Sequence, residues 1–447
     1  MFLAPGVARR ASGALTAICL SGVCVAATHA QAKITTIASF DGSNGQYPNG
    51  NNPYGSVTLD GSGNLYGTTF SGGGTAGAGT VFRIDKGSST VTTIASFSGS
   101  NGTSSHGANP FAGVTFDSDG NIFGTTTSGV GASYYGSVYE IAKGSTAITT
   151  VASFDNGTNG NSPYAGVTFD GSGNIFGTTL SGGANGFGTV YEILKGTSTI
   201  NTVASFTGSN GSRPSGLTLD SNGNFYGTTR TGTGSSANGT IFEIAKGMTT
   251  ISTLAVFAGG RVTGTEPFSG VTIDGNGNLF GTTYNGGGTF ASGGVFELVK
   301  GSSTITNLAS FDGSNGAEPY GGVTIDGAGN LFGTTRSALN GGASGSVYKI
   351  ASGSKTIQVL GYFNGNNGGD PYGAVILDGS GNLFGTTRSG TASNGGSVFG
   401  LAGVGSPFPA PIPEASTAAS MGLLMGLGFG GLAWHSRKRR RAPAPDA

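Results

Sequence analysis

The chain has 447 residues, of which 89 are glycine and only 9% are charged, with 21 basic and 21 acidic residues. So much glycine disfavours a helical fold, because glycine costs about 1 kcal/mol relative to alanine inside a helix. Only one of the three histidines, His106, lies away from the chain ends, which excludes a histidine-based metal centre.

Residues 1–32 have the order of a secretory signal peptide. Arg9-Arg10 precede an apolar run over residues 11–27, and the small residues of 30–32 fit a cleavage site. The alternative, an N-terminal membrane anchor, is disfavoured because the run is short and rich in small residues. Cys19 and Cys24 both lie in this segment, so cleavage would leave a chain with neither disulfides nor thiol chemistry.

The N-terminal strand precedes any complete repeat. Ile34–Phe40 carries the motif that ends the later repeats, apolar-Thr-x-apolar-Ala-Ser-Phe, whereas the last repeat stops after its third strand, Ser397–Leu401. Seven complete blades therefore result only if the N-terminal strand closes the last one. Closure of this kind removes the open sheet edges of a linear stack.

Residues 33–403 repeat one pattern seven times. In its clearest copies it reads Gly-Val-Thr-apolar-Asp, a tight Gly/Ser/Asn turn, and Asn-apolar-aromatic-Gly-Thr-Thr. The repeated aspartates, 50 to 57 residues apart, are Asp60, Asp117, Asp170, Asp220, Asp274, Asp326 and Asp378. A period of this length built from strand and turn signals predicts an all-β fold, a seven-bladed β-propeller with one blade per repeat. A glycine-rich β-solenoid is the alternative. A solenoid, however, would gain nothing from having the fourth-strand motif placed before the first complete repeat and left out of the last one.

Each repeat predicts four strands, and the sixth shows them clearly. Gly322–Asp326 and Asn330–Thr335 form a hairpin around a glycine-rich turn. A Gly/Ser/Asn loop then leads to a third strand at Ser346–Ile350, and a short turn leads to a fourth at Thr356–Leu360.

The C-terminal residues form a three-part sequence. A proline-rich linker and the motif Pro413-Glu414-Ala415 occupy 404–417, an apolar segment covers 418–434, and basic residues dominate 435–447. This order resembles the PEP-CTERM sorting tail of Gram-negative bacteria, although Ala415 replaces the second proline of that motif. The resemblance implies a transmembrane helix with a cytoplasmic basic end, processing by an exosortase-type enzyme, and an envelope or extracellular location.

Without the two ends, 14 basic and 19 acidic residues remain in the repeats. Nucleic-acid binding is disfavoured because no basic stripe is left to neutralise phosphates. The repeats resemble the Gly-Thr-Thr propeller-type repeats of secreted bacterial proteins, and more loosely the blades of NHL-type and lyase-type propellers. That resemblance implies blades, and it assigns no reaction.

Two repeated motifs invite a functional interpretation that we do not favour. The Asp-x-Ser-x-Asn turns, such as Asp117–Asn121, place oxygens at alternate positions but lack the glutamate that closes a calcium-binding loop. We expect hairpin turns stabilised by the aspartate itself. The Gly-Thr-Thr of every second strand is expected to serve blade packing. No metal or cofactor is predicted.

The candidate site lies on the long-loop face, which we define as the face carrying the connections from second to third strands and from fourth to first strands. A Pro-aromatic pair opens the first strand of six blades. The pairs are Pro53-Tyr54, Pro110-Phe111, Pro163-Tyr164, Pro267-Phe268, Pro319-Tyr320 and Pro371-Tyr372, with Pro214-Ser215 the exception.

Charged residues accompany these pairs. Acids precede the proline at Glu266, Glu318 and Asp370, and arginines follow Gly-Thr-Thr at Arg230, Arg336 and Arg388. Aromatic faces beside carboxylates and guanidinium groups suit a sugar polymer, so the predicted ligand-binding residues are these six with Tyr320 and Tyr372. Alternatively, the aromatics wedge between blades and the charges only solvate a rim.

Three functions remain open from the sequence. The favoured one is an envelope or matrix module that binds an exopolysaccharide or a surface protein through the long-loop face. The second is a purely structural envelope protein. The third is a carbohydrate-active hydrolase or lyase, for which Glu318 and Asp370 are the available carboxylates, although no catalytic residue is predicted.

Overall fold

The computed structural model describes residues 16–20, 23–27, 33–40, 49–74, 77–98, 106–129, 135–338, 342–391 and 393–405, with no side chains for 16–20, 23–27 and 236. A separate C-terminal unit, Phe408–Ala447, lies outside these ranges together with the predicted sorting motif and membrane segment. Within the described residues no helix has the length and apolar character needed to cross a membrane. In the predicted signal segment, Thr16–Leu20 pairs antiparallel with Val23–Ala27.

Seven four-stranded antiparallel sheets form the blades of a β-propeller, as the repeat predicted. The strands of blades 1 to 3 are Thr58–Leu59, Leu65–Thr69, Thr80–Ile84 and Thr92–Ser96; Thr115–Phe116, Ile122–Thr126, Ser137–Ile141 and Thr149–Ser153; and Thr168–Phe169, Ile175–Thr179, Thr189–Ile193 and Asn201–Ser205. Those of blades 4 and 5 are Ser212–Leu219, Phe225–Thr231, Thr240–Ile244 and Ser252–Val256; and Thr272–Ile273, Leu279–Thr283, Gly294–Leu298 and Thr306–Ser310. Those of blades 6 and 7 are Thr324–Ile325, Leu331–Thr335, Ser346–Ile350 and Ile357–Tyr362; and Ile376–Leu377, Leu383–Thr387, Ser397–Leu401 and Thr35–Ser39. A one-turn helix, Gly260–Thr263, and a 3-10 turn, Gly234–Ser236, lie in loops.

Blade 7 is closed by the N-terminal strand, as predicted. Thr35–Ser39 pairs antiparallel with Ser397–Leu401, with Ser39 opposite Ser397. Phe40, which follows this strand, is fully buried, and its amide donates to the Gly396 carbonyl. The two ends of the ring are thus joined by strand pairing, which excludes the solenoid alternative.

The first strands are shorter than predicted, with two residues in every blade except blade 4. The innermost segments of neighbouring blades approach so closely that a Cβ on Gly55 would lie 2.2 Å from the Gly113 amide nitrogen. This crowding leaves little room for a regular ladder before Thr58 or Thr115.

A pair of buried aromatic rings joins every blade to the next. The phenylalanine after each fourth strand packs edge-on against the third-strand aromatic of the following blade, with ring centroids 4.9 to 5.1 Å apart. The pairs are Phe40–Phe82, Phe97–Tyr139, Phe154–Tyr191, Phe206–Phe242, Phe257–Phe296, Phe311–Tyr348 and Phe363–Phe399. Each third-strand ring lies over the glycine of the Gly-Thr-Thr motif in its own blade, which explains why that position has no side chain.

Threonine hydroxyls form a second set of links between blades. The first threonine of Gly-Thr-Thr donates to a carbonyl three residues before the first strand of the next blade at six of the seven junctions. The donors, at 2.6 to 3.1 Å, are Thr68, Thr125, Thr228, Thr282, Thr334 and Thr386. At the remaining junction, between blades 3 and 4, the Thr178 hydroxyl is buried without a partner.

The repeated aspartates stabilise the hairpin turns, as predicted. In blade 1, Asp60 Oδ1 accepts from the amides of Ser62 and Asn64, and Asp60 Oδ2 accepts from the Asn64 side chain. Asn64 Oδ1 then accepts from the Lys86 amide at 3.0 Å, which ties the two turns of the blade together. The carboxylate oxygens of Asp60 therefore accept hydrogen bonds within the protein itself.

Blade 4 departs from the repeat. Its Pro214 and Thr218 are four residues apart, whereas Pro163 and Thr168 of blade 3 are five apart. Ser215 stands where the other blades have an aromatic side chain, and Ser212–Leu219 forms one long strand whose pairing is irregular between Pro214 and Leu217. Thr178 of blade 3, which faces this irregular junction, has no hydrogen-bond partner for its buried hydroxyl.

Candidate binding site on the long-loop face

The residue before each first-strand proline sets the geometry of the long-loop face. All seven adopt a left-handed backbone, with φ between 51° and 59°: Asn52, Asn109, Ser162, Arg213, Glu266, Glu318 and Asp370. In blade 6 the Glu318 amide donates to Ser292 of the preceding blade, while the Glu318 carbonyl accepts from the Arg336 amide at 3.2 Å. The backbone therefore holds each acid beside the residue that follows Gly-Thr-Thr.

Six aromatic side chains converge on the propeller axis in a nearly continuous ring. Adjacent centroids are 4.5 to 5.0 Å apart for Tyr54–Phe111, Phe111–Tyr164, Phe268–Tyr320, Tyr320–Tyr372 and Tyr372–Tyr54. Phe111 and Tyr320, from blades 2 and 6, also approach across the axis, at 6.4 Å. These side chains fill the axis at this level.

Arg230 occupies the gap that blade 4 leaves in the ring. Its Cζ lies 5.5 Å from the Tyr164 centroid and 4.8 Å from the Phe268 centroid. Its Nε donates to Ser215 Oγ at 3.4 Å. Six aromatic rings and one guanidinium therefore complete the circle, which we call the axial ring.

An ion-pair cluster spans blades 5 to 7 beside the axial ring. Arg336 Nη1 donates to Tyr284 Oη at 2.6 Å and to Glu318 Oε2 at 3.3 Å. Asp370 accepts from Arg388 Nη2 at 2.9 Å and lies 3.9 Å from Arg336 Nε. These five residues, Tyr284, Glu318, Arg336, Asp370 and Arg388, form the ion-pair cluster.

The cluster is joined to the axial ring and reaches solvent. The side chains of Arg336 and Arg388 are each 32% exposed, and both lie over Tyr372, with Cζ 5.6 and 5.5 Å from its centroid. Burial acts to lower the pKa of Arg336, but Tyr372, Tyr284, Glu318 and Asp370 outweigh it and raise that pKa. Both guanidinium groups are therefore charged at neutral pH.

The structure brings together most of the predicted site residues. Arg336, Arg388, Glu318 and Asp370 meet in the ion-pair cluster, and Tyr320 and Tyr372 lie in the axial ring. Arg230 lies in the ring instead of an ion pair. Glu266 stands apart, since its Oε2 accepts from Asn285 Nδ2 at 2.9 Å.

Two features were missed by sequence reasoning. Tyr284 belongs to the cluster, and the signal for it was its place at the same repeat position as Arg336. The second feature is that the other aromatic residues of the Pro-aromatic pairs also face the propeller axis, because that position lies next to the axis in each of these blades.

This arrangement changes the expected chemistry of recognition. Tyr54 stacks on Phe111, and Phe268 stacks on Tyr320, with interplanar angles of 20° and 15°. The faces that these rings turn toward one another are not available to a sugar, whereas the guanidinium, carboxylate and phenol groups of the ion-pair cluster are available for ligand contacts. Among the described residues no cluster of three or more acidic, histidine or cysteine side chains could hold a metal ion.

Grooves between blades lie on the opposite face. One of about 660 Å³ between blades 3 and 4 is lined by the turns at Asp170 and Asp220 and by Met248. Similar grooves of about 690 and 710 Å³ repeat between other blades. Because they are built from the repeated turns, we attribute them to the architecture.

The chain matches a known repeat family. The profile of the Gloeobacter/Verrucomicrobia repeat matches residues 19–236, 109–338 and 285–410. The chain belongs to this repeat family. Among curated proteins, none matches it significantly.

Solved structures are similar to this family member at low sequence identity. The extracellular domain of a putative one-component system from B. thetaiotaomicron has a TM-score of 0.51 at 9% identity, covering 83% of this chain and 40% of that one. A putative 6-phosphogluconolactonase from Bacteroides uniformis gives 0.47 at 14% identity, covering 75% and 91%. PorZ, a surface component of the type-IX secretion system of Porphyromonas gingivalis, gives 0.45 at 15%, covering 80% and 47%. The first of these supports the propeller fold, and none assigns a ligand or a reaction.

Proposed function

We propose that this propeller is an exported, envelope-associated binding module that holds a polysaccharide on its long-loop face. The observation that carries the proposal is the ion-pair cluster beside the axial ring. It gathers two guanidinium groups, two carboxylates and a phenol on loops from three adjacent blades. Loops positioned by a rigid scaffold are where binding residues concentrate.

The distribution of charge supports this proposal. The corresponding positions of blades 1 to 3 hold Phe70, Thr127 and Leu180, so the cluster is confined to one sector of the face. Charge-assisted hydrogen bonds from partly desolvated guanidinium groups are stronger than those between neutral groups. A hydroxyl-rich polymer can bond to both the donors and the acceptors of such a cluster.

A glycan array with the parent protein, followed by calorimetry on its strongest hit, tests the proposal. Replacing Arg336 and Arg388 together with alanine should weaken binding by tenfold or more. The control is Arg83→Ala, which removes an arginine paired with Asp85 on the face opposite the long-loop face and should leave affinity unchanged. An array without hits, or equal affinity of the double variant and the parent, would contradict the proposal.

Export and sorting form the second part of the proposal. The signal-like segment and the sorting-type tail support translocation, transient anchoring in the inner membrane and release by an exosortase-type enzyme. Mass spectrometry of the mature protein should find an N-terminus at Lys33 and a C-terminus near Pro413–Thr417. Peptides from Arg441–Ala447 on the extracellular form would contradict processing.

A further inference from the structure

Arg230 differs from the other two arginines near the axis in having no ion-pair partner among the described residues. Arg336 and Arg388 each pair with a carboxylate, whereas no carboxylate in the described part of the chain lies within 4 Å of Arg230. Glu266 is near enough to act electrostatically, but its Oε2 accepts from Asn285. Exposed Arg213 adds a further positive charge nearby.

Desolvation makes this unpaired charge costly. Burial lowers the pKa of the Arg230 guanidinium, yet arginine remains protonated in proteins. The faces of Tyr164 and Phe268 offset part of the cost through cation–π contact. A buried charge is well accommodated only when it is both paired and hydrogen-bonded.

The terminal nitrogens of Arg230 are free to meet a ligand. Ser215 Oγ accepts from Nε and itself donates to the Pro267 carbonyl at 2.8 Å, which fixes the plane of the guanidinium. Nη1 and Nη2 have no hydrogen bond among the described residues, and neither atom is fully buried. They therefore retain contact with solvent, in the planar arrangement that binds a carboxylate through two parallel hydrogen bonds.

We propose that Arg230 anchors a carboxylate of the bound polysaccharide, so that the ligand class is a uronic-acid-containing glycan. This inference rests on the proposed function and deepens it. The ion-pair cluster would bond to hydroxyl groups of the same chain, while Arg230 supplies charge selectivity. In blade 4, Ser215 replaces the aromatic residue of the other blades, and Arg230 lies between Tyr164 and Phe268 in its place.

The test compares oligogalacturonate with its methyl ester, which has the same sugars without the charge. The parent should bind the acid at least tenfold more tightly than the ester, and added salt should weaken only the former. Arg230→Gln should abolish this preference, and Arg230→Lys, which keeps the charge but loses the planar fork, should retain part of it. Arg261→Gln, an exposed arginine on the same face, is the control and should change neither affinity.

The outcomes separate this inference from the proposed function. Equal binding of acid and ester by the parent, or an unchanged preference in Arg230→Gln, overturns the role of Arg230 alone. A neutral glycan bound in a manner that depends on Arg336 and Arg388 would leave the proposed function standing. If no glycan binds at all, both fail. Equal binding of acid and ester by the parent would overturn the inference even if the Arg230 variants fold poorly, because that comparison needs the parent protein alone.

Discussion

At the residue scale, the repeated glycine of Gly-Thr-Thr is required by the aromatic ring that covers it. In blade 5 a Cβ on Gly281 would lie 2.5 Å from Cζ of Phe296, a distance that real side chains do not tolerate. Phe296 in turn is held by Phe257 of the preceding blade, at 5.1 Å. The ring therefore has no free direction in which to move.

Gly281→Ala should consequently destabilise the protein by about 1–3 kcal/mol, the usual cost of overpacking a core. The control is Gly275→Ala in the same blade, whose Cβ would meet nothing within 4 Å and which should be neutral or stabilising by up to about 1 kcal/mol. Denaturant unfolding of the two variants measures the difference. Equal stability of both would refute the packing role of this glycine.

The three third-strand tyrosines carry hydroxyls that the fold does not use. Tyr348 is fully buried and its hydroxyl has no partner, whereas the same position in blade 5 is Phe296. Tyr348→Phe should stabilise the protein by about 1 kcal/mol, since it removes an unpaired buried polar group. Tyr362→Phe is the contrasting control, because that hydroxyl donates to Ser314 at 2.6 Å and its loss should be slightly destabilising.

The same substitution predicts a change in pH dependence. Burial raises the pKa of Tyr348, so the folded state favours the neutral phenol. The stability that depends on this group is fully present below its ordinary pKa of about 10 and is lost as the pH rises above it. Unfolding measured from pH 9 to 11.5 should therefore show a shallower alkaline loss in Tyr348→Phe. An identical slope in parent and variant would contradict this.

At the element scale, the blades are joined by hydroxyl donors that the sequence shows as repeated threonines. The sequence predicted their packing role, but it could not show that each hydroxyl reaches the next blade, because the acceptors lie 39 to 44 positions along the chain. At the closing junction the acceptor of Thr386 is Gly55, 331 positions away. The sequence also gives no sign that the Thr178 hydroxyl, at the junction with the irregular first strand of blade 4, has no partner.

Thr386→Val should cost about 1–2 kcal/mol, because it removes the donor and leaves the Gly55 carbonyl buried and unpaired. Thr178→Val changes the same atoms at the equivalent position, where the hydroxyl has no partner. It should be neutral or stabilising. Urea unfolding of the two variants in parallel measures the loss of unfolding free energy. Equal losses in both variants would show that these hydroxyls do not link the blades.

At the scale of the whole molecule, the architecture could be predicted from the sequence and the site only in part. Period, strand count and closure followed from the repeated aspartates and from the unpaired motif at Ile34–Phe40. The convergence of Arg336 and Asp370 followed from their equivalent positions in adjacent blades. The axial ring could not be predicted from the sequence. The sequence does not show how near the axis the first strands begin, and it does not show that Arg230 lies in the gap left by blade 4.

The closed ring depends on the N-terminal strand, since without it blade 7 would be separated from blade 1. The strand segment contributes Phe40, packed 4.9 Å from Phe82 of blade 1, together with buried Ile34 and Ala38. Each large side chain contributes roughly 1.5–3 kcal/mol when fully buried, and the pairing with Ser397–Leu401 would also be lost.

The most direct measurement is the thermal unfolding of the chain after deletion of Lys33–Phe40, beside a control lacking the eight residues 440–447. The closed ring predicts a melting temperature many degrees lower than that of the control, with exposure of the third-strand edge of blade 7 and aggregation on heating. A melting temperature equal to that of the control would contradict the closed seven-bladed ring.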